Sequence, residues 1–163
     1  MHELQYYLGL GSNIEPEKNL PRSIGLLRQY VSIYAFSALW ETPSVGEAGP
    51  NFLNGVVRIG SHLQPEELKL QVLRPVEAQL GRVRTSDKYA PRPIDIDILV
   101  VNGSVYTEDV WRYAYLAVPL AELFPDLTHP KSGKSLAEVA KQLCNATKIH
   151  LRRDISLGIQ LKT

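Results

Sequence analysis

Residues 94–98 alternate strictly between isoleucine and aspartate. Successive side chains of a β-strand point to opposite faces of its sheet. The pattern therefore predicts a strand with Ile94, Ile96 and Ile98 in the core and Asp95 and Asp97 on the other face. The two carboxylates would stand roughly 6.6 Å apart along the strand. Like charges at that distance repel by about 2.5 kcal/mol at an effective dielectric constant of about 20, so a bound cation would stabilise the pair.

Carboxylate oxygens in such a pair are suitable ligands for Mg²⁺, which binds proteins through one or two carboxylates together with substrate phosphates and water. The spacing alone fits equally well a half-buried strand whose polar face is simply solvated. The neighbouring sequence has to distinguish the two interpretations.

A basic segment comes directly before this strand. Residues 81–92 (GRVRTSDKYAPR) contain Arg82, Arg84, Lys88 and Arg92 against a single acidic side chain. Arginine binds phosphate oxygens with two parallel hydrogen bonds and stabilises the charge of phosphoryl-transfer transition states. A solvated surface loop is the alternative. A basic loop that runs into a carboxylate pair favours a site for ATP and magnesium.

The order of predicted elements indicates an α+β fold. Strand patterns occupy residues 5–10, 31–42, 52–59 and 94–101. A first helix carries Leu20, Ile24, Leu27 and Tyr30 at helical spacing, with Pro21 expected in its first turn, and a second begins at Pro65, with Leu68, Val72 and Val76 on one face and a kink at Pro75. This order, βαββαβ, predicts a ferredoxin-like antiparallel sheet with two helices on one face and the other face free for a ligand.

The C-terminal third is less regular. A capping box at residues 135–138 predicts a helix from Leu136 to about Leu143, and alternation over residues 155–161 predicts an added edge strand. Two glycine motifs are rejected as nucleotide-binding loops. Gly9-Leu10-Gly11 lacks a third glycine and is interpreted as a strand end and turn, and Gly133-Lys134-Ser135 follows no strand.

Composition excludes several classes of protein. Lys plus Arg total 18 against 17 for Asp plus Glu, so we expect no binding to nucleic acid or to anionic membranes. No apolar run is long enough to span a bilayer. The single cysteine, Cys144, cannot form an internal disulfide, and the N-terminus lacks a signal-peptide pattern, so a cytoplasmic protein is expected. The length of 163 residues with 44% hydrophobic composition predicts one domain over residues 1–163.

Several motifs together resemble the 6-hydroxymethyl-7,8-dihydropterin pyrophosphokinases of folate biosynthesis. They are GLGSN at residues 9–13, ETPSVG and NFLN within residues 41–54, Glu77 with LGRVR at residues 80–84, and APRPIDIDIL at residues 90–99. The resemblance continues through VPLAELFPDL at residues 118–127. It implies a ferredoxin-like core and transfer of diphosphate from ATP to the hydroxymethyl group of the pterin, with release of AMP.

The resemblance also implies roles for individual residues. Two magnesium ions would bind Asp95 and Asp97, and Arg82 and Arg92 would neutralise charge on the leaving group. Nucleotide contacts are implied at Glu77, Arg84, Tyr89 and Ile98, and the pterin pocket at Thr42, Pro43 and Asn54 with Phe52 stacking on the ring. The implied partners are ATP and a pterin, in a monomer or weak homodimer.

One segment departs from the family pattern. Residues 110–115 (VWRYAY) are several residues shorter than the ATP-holding segment of the family, and they contain no histidine. Tyr115 would then supply a second stacking ring and Arg112 would replace a missing arginine. Alternatively, Trp111, Tyr113 and Tyr115 alternate along an ordinary strand with Arg112 in solvent. The departure also leaves open a second function, a non-catalytic pterin- or nucleotide-binding or interaction module on the same scaffold.

Overall fold

The computed structural model describes residues 2–44, 49–87 and 90–158. It confirms the predicted α+β core, except that two strands stand where one was predicted between the first helix and β4, and further elements follow the core. The strands are β1 (Leu4–Ser12), β2 (Ser32–Phe36), β3 (Leu39–Thr42), β4 (Phe52–Ser61), β5 (Asp95–Val101), β6 (Ser104–Val105) and β7 (His150–Arg152). The helices are α1 (Pro16–Leu27), α2 (Pro65–Leu68), α3 (Arg74–Gln79), α4 (Ala114–Leu123) and α5 (Leu136–Ala146).

The strands form one sheet in the order β6-β5-β1-β4-β3-β7, with β2 also beside β4. The central strand β1 pairs antiparallel with β4 on one side and with β5 on the other. The prediction of one strand over residues 31–42 is wrong, because the strand is interrupted at Ser37. The Ser37 main-chain N–H donates to the Val56 carbonyl and its Oγ accepts from the Val56 N–H, both at 2.8 Å, so β2 and β3 pair with different parts of β4.

Two hydrophobic clusters lie on the two faces of this sheet. The first joins the buried face of β5, including Ile96, to α1, α2 and α3. The second joins the other face of the sheet, including Leu99, to α4 and α5 through residues such as Leu116 and Leu136. The expectation that the second face would be free for a ligand is therefore wrong in part, because α4 and α5 cover some of it. What stays open lies over the ends of β1, β3, β4 and β5.

Pro65 begins α2 as predicted, whereas Pro21 does not lie in its predicted place. Helix α1 starts at Pro16, so Pro21 lies inside the helix and not in its first turn, and Tyr30 lies beyond its end. Between α2 and α3, residues Lys69–Leu73 form a π-helical turn in which the Arg74 N–H donates to the Lys69 carbonyl. This wider turn comes directly before Pro75, which has no N–H to donate to a regular helix.

The C-terminal region contains one confirmed prediction and one wrong one. Ser135 caps α5 through a capping box, and the helix runs three residues beyond Leu143, so Cys144 lies inside it. The predicted strand over residues 155–161 is wrong for the described part, since residues 155–158 are not a strand and β7 lies earlier. Residues 159–163 lie outside the described ranges. Leu157 is nevertheless buried in the first cluster.

Candidate active site

A cavity of about 270 Å³ opens where β1, β3, β4 and β5 meet the start of α4. Its wall combines flat aromatic and apolar surface with carboxylates. The lining residues are Gly9, Leu10, Gly11, Thr42, Pro43, Ser44, Phe52, Asn54, Arg92, Asp95, Asp97, Asp109, Tyr113, Tyr115 and Leu116. Most of the predicted pterin-contacting and metal-binding residues thus meet in one place, although they come from distant parts of the chain.

The floor of the cavity depends on two glycines in β1. A Cβ at Gly9 would lie 3.2 Å from a Leu99 methyl and 3.3 Å from a Leu116 methyl, and one at Gly11 would lie 3.1 Å from Asn54 Oδ1. The interpretation of Gly9 and Gly11 as a strand end is confirmed, but the turn is not, because both lie within β1, which continues through Ser12. The missing side chains let Leu99 and Leu116 pack against Gly9 and Asn54 pack against Gly11.

The strand β5 separates its carboxylates from its isoleucines as predicted. Ile96 is 1% exposed, whereas Asp95 and Asp97 face the cavity. The two carboxylates differ in their partners. Asp95 accepts from Arg82 Nη1 at 2.9 Å and from Arg92 Nη1 at 3.4 Å. Asp95 is therefore compensated by two guanidinium groups within the protein.

The ionised carboxylate of Asp97 is less well stabilised than that of Asp95. Its side chain has solvent contact through the open cavity, but the surrounding wall still desolvates it. This desolvation, followed by the charges of Asp95 and Glu77, raises the pKa of Asp97 to about 7. A cation at this position would reverse the effect, because it favours the ionised carboxylate.

The donor set fits magnesium that is shared with a substrate. Among the described residues, no group of three or more His, Cys, Asp or Glu side chains is arranged to hold a metal ion by itself. Asp95 and Asp97 supply two carboxylates beside a space large enough for phosphates and water. Mg²⁺ characteristically binds with only one or two carboxylates when phosphate oxygens complete its coordination.

A second, smaller cavity of about 170 Å³ adjoins the first. It is lined by Arg82, Val83, Arg84, Thr85, Asp87, Ala90, Pro91 and Arg92. Arg92 lines both cavities. A polyanion could therefore extend from the arginines of the second cavity to the carboxylate pair of the first.

Glu77 organises these arginines from below. It is 1% exposed and accepts from Arg74 at 3.1 Å, from Arg84 at 2.8 Å and from the Ile96 main-chain N–H at 2.8 Å. Arg82 Nη1 lies 4.0 Å from Glu77 Oε2, the oxygen that accepts from the Ile96 N–H. Glu77 lines neither cavity in the described part of the chain, so the expectation of a direct nucleotide contact is corrected to a buried brace.

The wall formed by β3 and β4 carries the predicted acceptor contacts. Asn54 is 5% exposed and its amide donates to Thr42 Oγ1 at 2.9 Å. Thr42 lies opposite Phe52 in the β3–β4 ladder, and both line the cavity. The amide group of Asn54 and the ring of Phe52 provide the polar edge and flat face that a heterocycle requires.

The shortened segment, residues 110–115, does not form the strand that was one alternative, and it adds no positively charged side chain to the described walls of the cavities. Residues Glu108–Trp111 form a 3₁₀ turn, and α4 starts at Ala114. Arg112 is exposed at the end of this turn and does not contribute to the described walls of either cavity, so its proposed role in holding ATP is not supported. Instead Asp109, Tyr113 and Tyr115 face the cavity, and burial raises the pKa of Tyr115 to about 12.

The remaining two predicted residues have different outcomes. The Ile98 side chain is buried in the first hydrophobic cluster, so only its main-chain groups could contact a nucleotide. Tyr89 lies outside the described residues. Glycines Gly9 and Gly11 and the acid Asp109 were missed as site residues, and only the first two have a sequence signal, the GLGSN motif.

The family model described as 7,8-dihydro-6-hydroxymethylpterin-pyrophosphokinase (HPPK) matches residues 7–125. The chain belongs to this family. The resemblance inferred from the motifs is confirmed, and so are the transferase class and the link to folate synthesis. Pyrophosphokinases of this family use ATP, generally with Mg²⁺.

Named relatives support the assignment to the HPPK family. The chain is 38% identical over 149 residues to the 2-amino-4-hydroxy-6-hydroxymethyldihydropteridine pyrophosphokinase of Methylorubrum extorquens, covering 84% of this chain and 92% of the relative. It is 32% identical over 149 residues to the folic acid synthesis protein fol1 of Schizosaccharomyces pombe, covering 84% of this chain. The chain spans only 20% of the length of fol1.

A solved structure of HPPK-DHPS from Plasmodium falciparum, with pterin and p-hydroxybenzoate, matches with a TM-score of 0.70 at 14% identity. The match covers 89% of this chain and 44% of that one. At this identity the likeness establishes the fold, and it confirms the ferredoxin-like prediction. No helix among the described residues has the length and apolar character needed to cross a membrane.

Proposed function

We propose that this chain, as a single pyrophosphokinase domain, transfers diphosphate from ATP to the hydroxymethyl group of 6-hydroxymethyl-7,8-dihydropterin and releases AMP. The observation that carries the proposal is the placement of Arg92. It lines both the arginine-rich cavity and the aromatic cavity, and it contacts Asp95 where the two meet. A donor phosphate chain and a flat acceptor would meet at that point.

The pterin is the acceptor that best fits the first cavity. Its ring would stack on Phe52, with Tyr115 on the opposite wall, and its polar edge would hydrogen-bond to Asn54 beside Thr42 and Pro43. The Tyr115 phenol is protonated at neutral pH, as an ordinary tyrosine is, so it can donate a hydrogen bond. The hydroxymethyl group would then point toward Asp95 and Asp97.

The triphosphate would lie along Arg84, Arg82 and Arg92, and Asp95 and Asp97 would hold two magnesium ions. Bound magnesium neutralises the phosphate oxygens and lowers the electrostatic barrier to attack. Arg82 already bridges the Ile94 carbonyl and Asp95, both at 2.9 Å, so its first task is to hold Asp95 in place.

The acceptor hydroxyl oxygen would form a bond to the β-phosphorus while the bond from that phosphorus to the oxygen bridging to the α-phosphate breaks. The electron pair leaves on AMP, where Arg82 and Arg92 would stabilise the charge, and the hydroxyl proton is released to solvent. We assign no dedicated general base, since loose phosphoryl transfer demands little of one.

The same scaffold could instead bind its ligands without turnover, and one observation favours this second candidate. The segment at residues 108–115 presents Asp109 to the cavity, whereas Arg112 stays outside it. The wall opposite the arginines therefore adds negative charge next to the expected triphosphate. As to its setting, we propose a cytoplasmic protein that acts as a monomer or weak homodimer.

Incubation with ATP, magnesium and the hydroxymethyl dihydropterin, followed by nucleotide chromatography, tests the proposal. AMP and the pterin diphosphate should form in equal amounts. Asp95→Asn should abolish them, whereas Asp126→Asn, an exposed acid away from both cavities, should not. Formation of ADP would refute diphosphate transfer. Tight binding of both ligands without AMP would favour the non-catalytic module.

A further inference from the structure

The C-terminal strand β7 lies behind the acceptor wall. It pairs antiparallel with β3, matching Leu39 with Arg152 and Glu41 with His150. Without it, β3 would be a four-residue edge strand whose only described partner in the sheet is β4. The region matched by the family model ends at residue 125, so β7 lies outside it.

A chain of polar contacts links β7 to the base of the β3–β4 loop. Arg152 Nη1 donates to Glu41 Oε1 at 2.8 Å, and the other Glu41 oxygen accepts from Asn51 Nδ2 at 2.8 Å. Arg152 also donates through Nε and Nη2 to the two oxygens of Asp154, both at 2.8 Å. Glu41 thereby joins the two ends of the loop, and Arg152 fixes Glu41 from the side.

Strand alternation connects this network to the cavity. Glu41 and Asn51 precede Thr42 and Phe52, which lie opposite each other and line the cavity. Since successive side chains point to opposite faces, the Glu41 contacts lie on the face of the sheet away from the cavity. Loosening there would shift Thr42 and Phe52, and with them the cavity wall on which the acceptor would stack.

Apolar packing anchors the same segment. Leu157 is 1% exposed, and a Cβ at Gly55 would come within 3.1 Å of its methyl group. The chain therefore docks on the core shortly after β7, which limits how far Arg152 can move away from Glu41.

We propose that β7 is a positioning element for the acceptor: Arg152, through Glu41 and Asn51, holds the wall that contains Thr42 and Phe52 in the position that a pterin requires. This inference rests on the proposed function. Arg152 does not touch the substrate, so it acts on the affinity for the acceptor and not on the chemical step.

The test compares Arg152→Gln with Arg153→Gln, the adjacent exposed arginine. Arg152→Gln should raise the pterin KM and Kd by about fivefold, the effect of about 1 kcal/mol. The ATP KM and kcat should stay within about twofold, and Arg153→Gln should match wild type. Arg152→Lys should recover part of the affinity, because it keeps a cation near Glu41. Adding Glu41→Gln to Arg152→Gln should lower the pterin affinity little further, because both substitutions break the same Arg152–Glu41 contact.

Amide hydrogen exchange provides a readout that does not depend on turnover. Arg152→Gln should speed exchange in β3 and at the start of β4 but leave β1 and β5 unchanged. Equal pterin affinity and equal exchange in Arg152→Gln and Arg153→Gln would overturn the inference, and so would an equal loss of ATP and pterin affinity. If wild type binds no pterin, the proposed function fails. The exchange pattern would then decide separately whether Arg152 orders this wall.

Discussion

Replacing Glu77 with alanine should destabilise the protein by about 3 kcal/mol, because the carboxylate is buried and holds several donors at once. Loss of the carboxylate would leave the buried Ile96 N–H without its acceptor and remove a negative charge 4.0 Å from Arg82, which is 9% exposed and keeps its contact with Asp95. An unsatisfied buried donor costs about 1–3 kcal/mol, and breaking a buried ion pair costs about 3–5 kcal/mol. Arg74 and Arg84 are 30% and 45% exposed and can turn to water, which places the total at the lower end.

Glu77→Gln separates the hydrogen bond from the charge. Its amide oxygen can still accept from the Ile96 N–H, while the attraction to the arginines is lost. We expect about 1–2 kcal/mol for this variant, less than for alanine. Glu66→Ala is the matched control, since that side chain is 71% exposed and lies 3.9 Å from Lys69, and it should change stability by under about 0.5 kcal/mol.

Urea unfolding followed by circular dichroism measures these differences. With a slope of about 2 kcal/mol per molar urea, Glu77→Ala should lower the midpoint by about 1.5 M, with an unchanged slope. Because Ile96 lies between Asp95 and Asp97, the variant should also weaken magnesium-dependent turnover. A Glu77→Ala protein within 1 kcal/mol of wild type would show that the buried contacts are replaced by water, and the brace would be refuted.

Three further outcomes follow from the cavity. Burial and a like charge raise the pKa of Asp97 to about 7, so the metal-free protein should lose stability as pH rises from about 4 to about 7. Asp97→Asn should abolish turnover yet raise the metal-free Tm at pH 8 by roughly 2–4 °C, and an unchanged Tm would contradict this account. Phe52→Ala should weaken pterin binding about tenfold and change ATP binding little, as measured by calorimetry. A larger loss of ATP affinity would show that the Phe52 ring does not stack on the pterin. Asp109→Asn should tighten binding of magnesium-ATP about two- to fivefold, because it removes a negative charge from the cavity. The controls Glu108→Gln and Arg112→Ala should leave the Kd for magnesium-ATP within about twofold of wild type. Weaker binding by Asp109→Asn would instead show that this carboxylate is a ligand.

The fold could be predicted where local pattern and tertiary packing agree. Strict alternation at residues 94–98 requires a two-faced strand, and the sheet buries the isoleucines accordingly. The capping box at Ser135 is equally local, because its bonds form between residues three apart. The single strand predicted at residues 31–42 failed because its break at Ser37 depends on hydrogen bonds to Val56, which no local pattern reveals.

The candidate site shows the same division. Asp95 and Asp97 follow from strand period, but the asymmetry between them arises from where Arg82 and Arg92 come to rest. Glu77 was placed at the nucleotide by family likeness, and only the fold shows that its oxygens are already used. Helical spacing cannot distinguish a carboxylate that faces a ligand from one that faces a buried main-chain N–H.

The two aspartates differ in how well the protein compensates their charge, and this difference would let the site be stable without metal and still bind a cation. Asp95 is compensated by Arg82 and Arg92, so its carboxylate is held in place before any ligand arrives. Asp97 remains poorly stabilised, and its free energy falls when a cation binds beside it. A pair in which both carboxylates were compensated would have little affinity left for magnesium, and a pair with neither compensated would repel strongly in the metal-free protein. One carboxylate that is compensated and one that is not would therefore give a preorganised strand that still gains free energy when a cation binds.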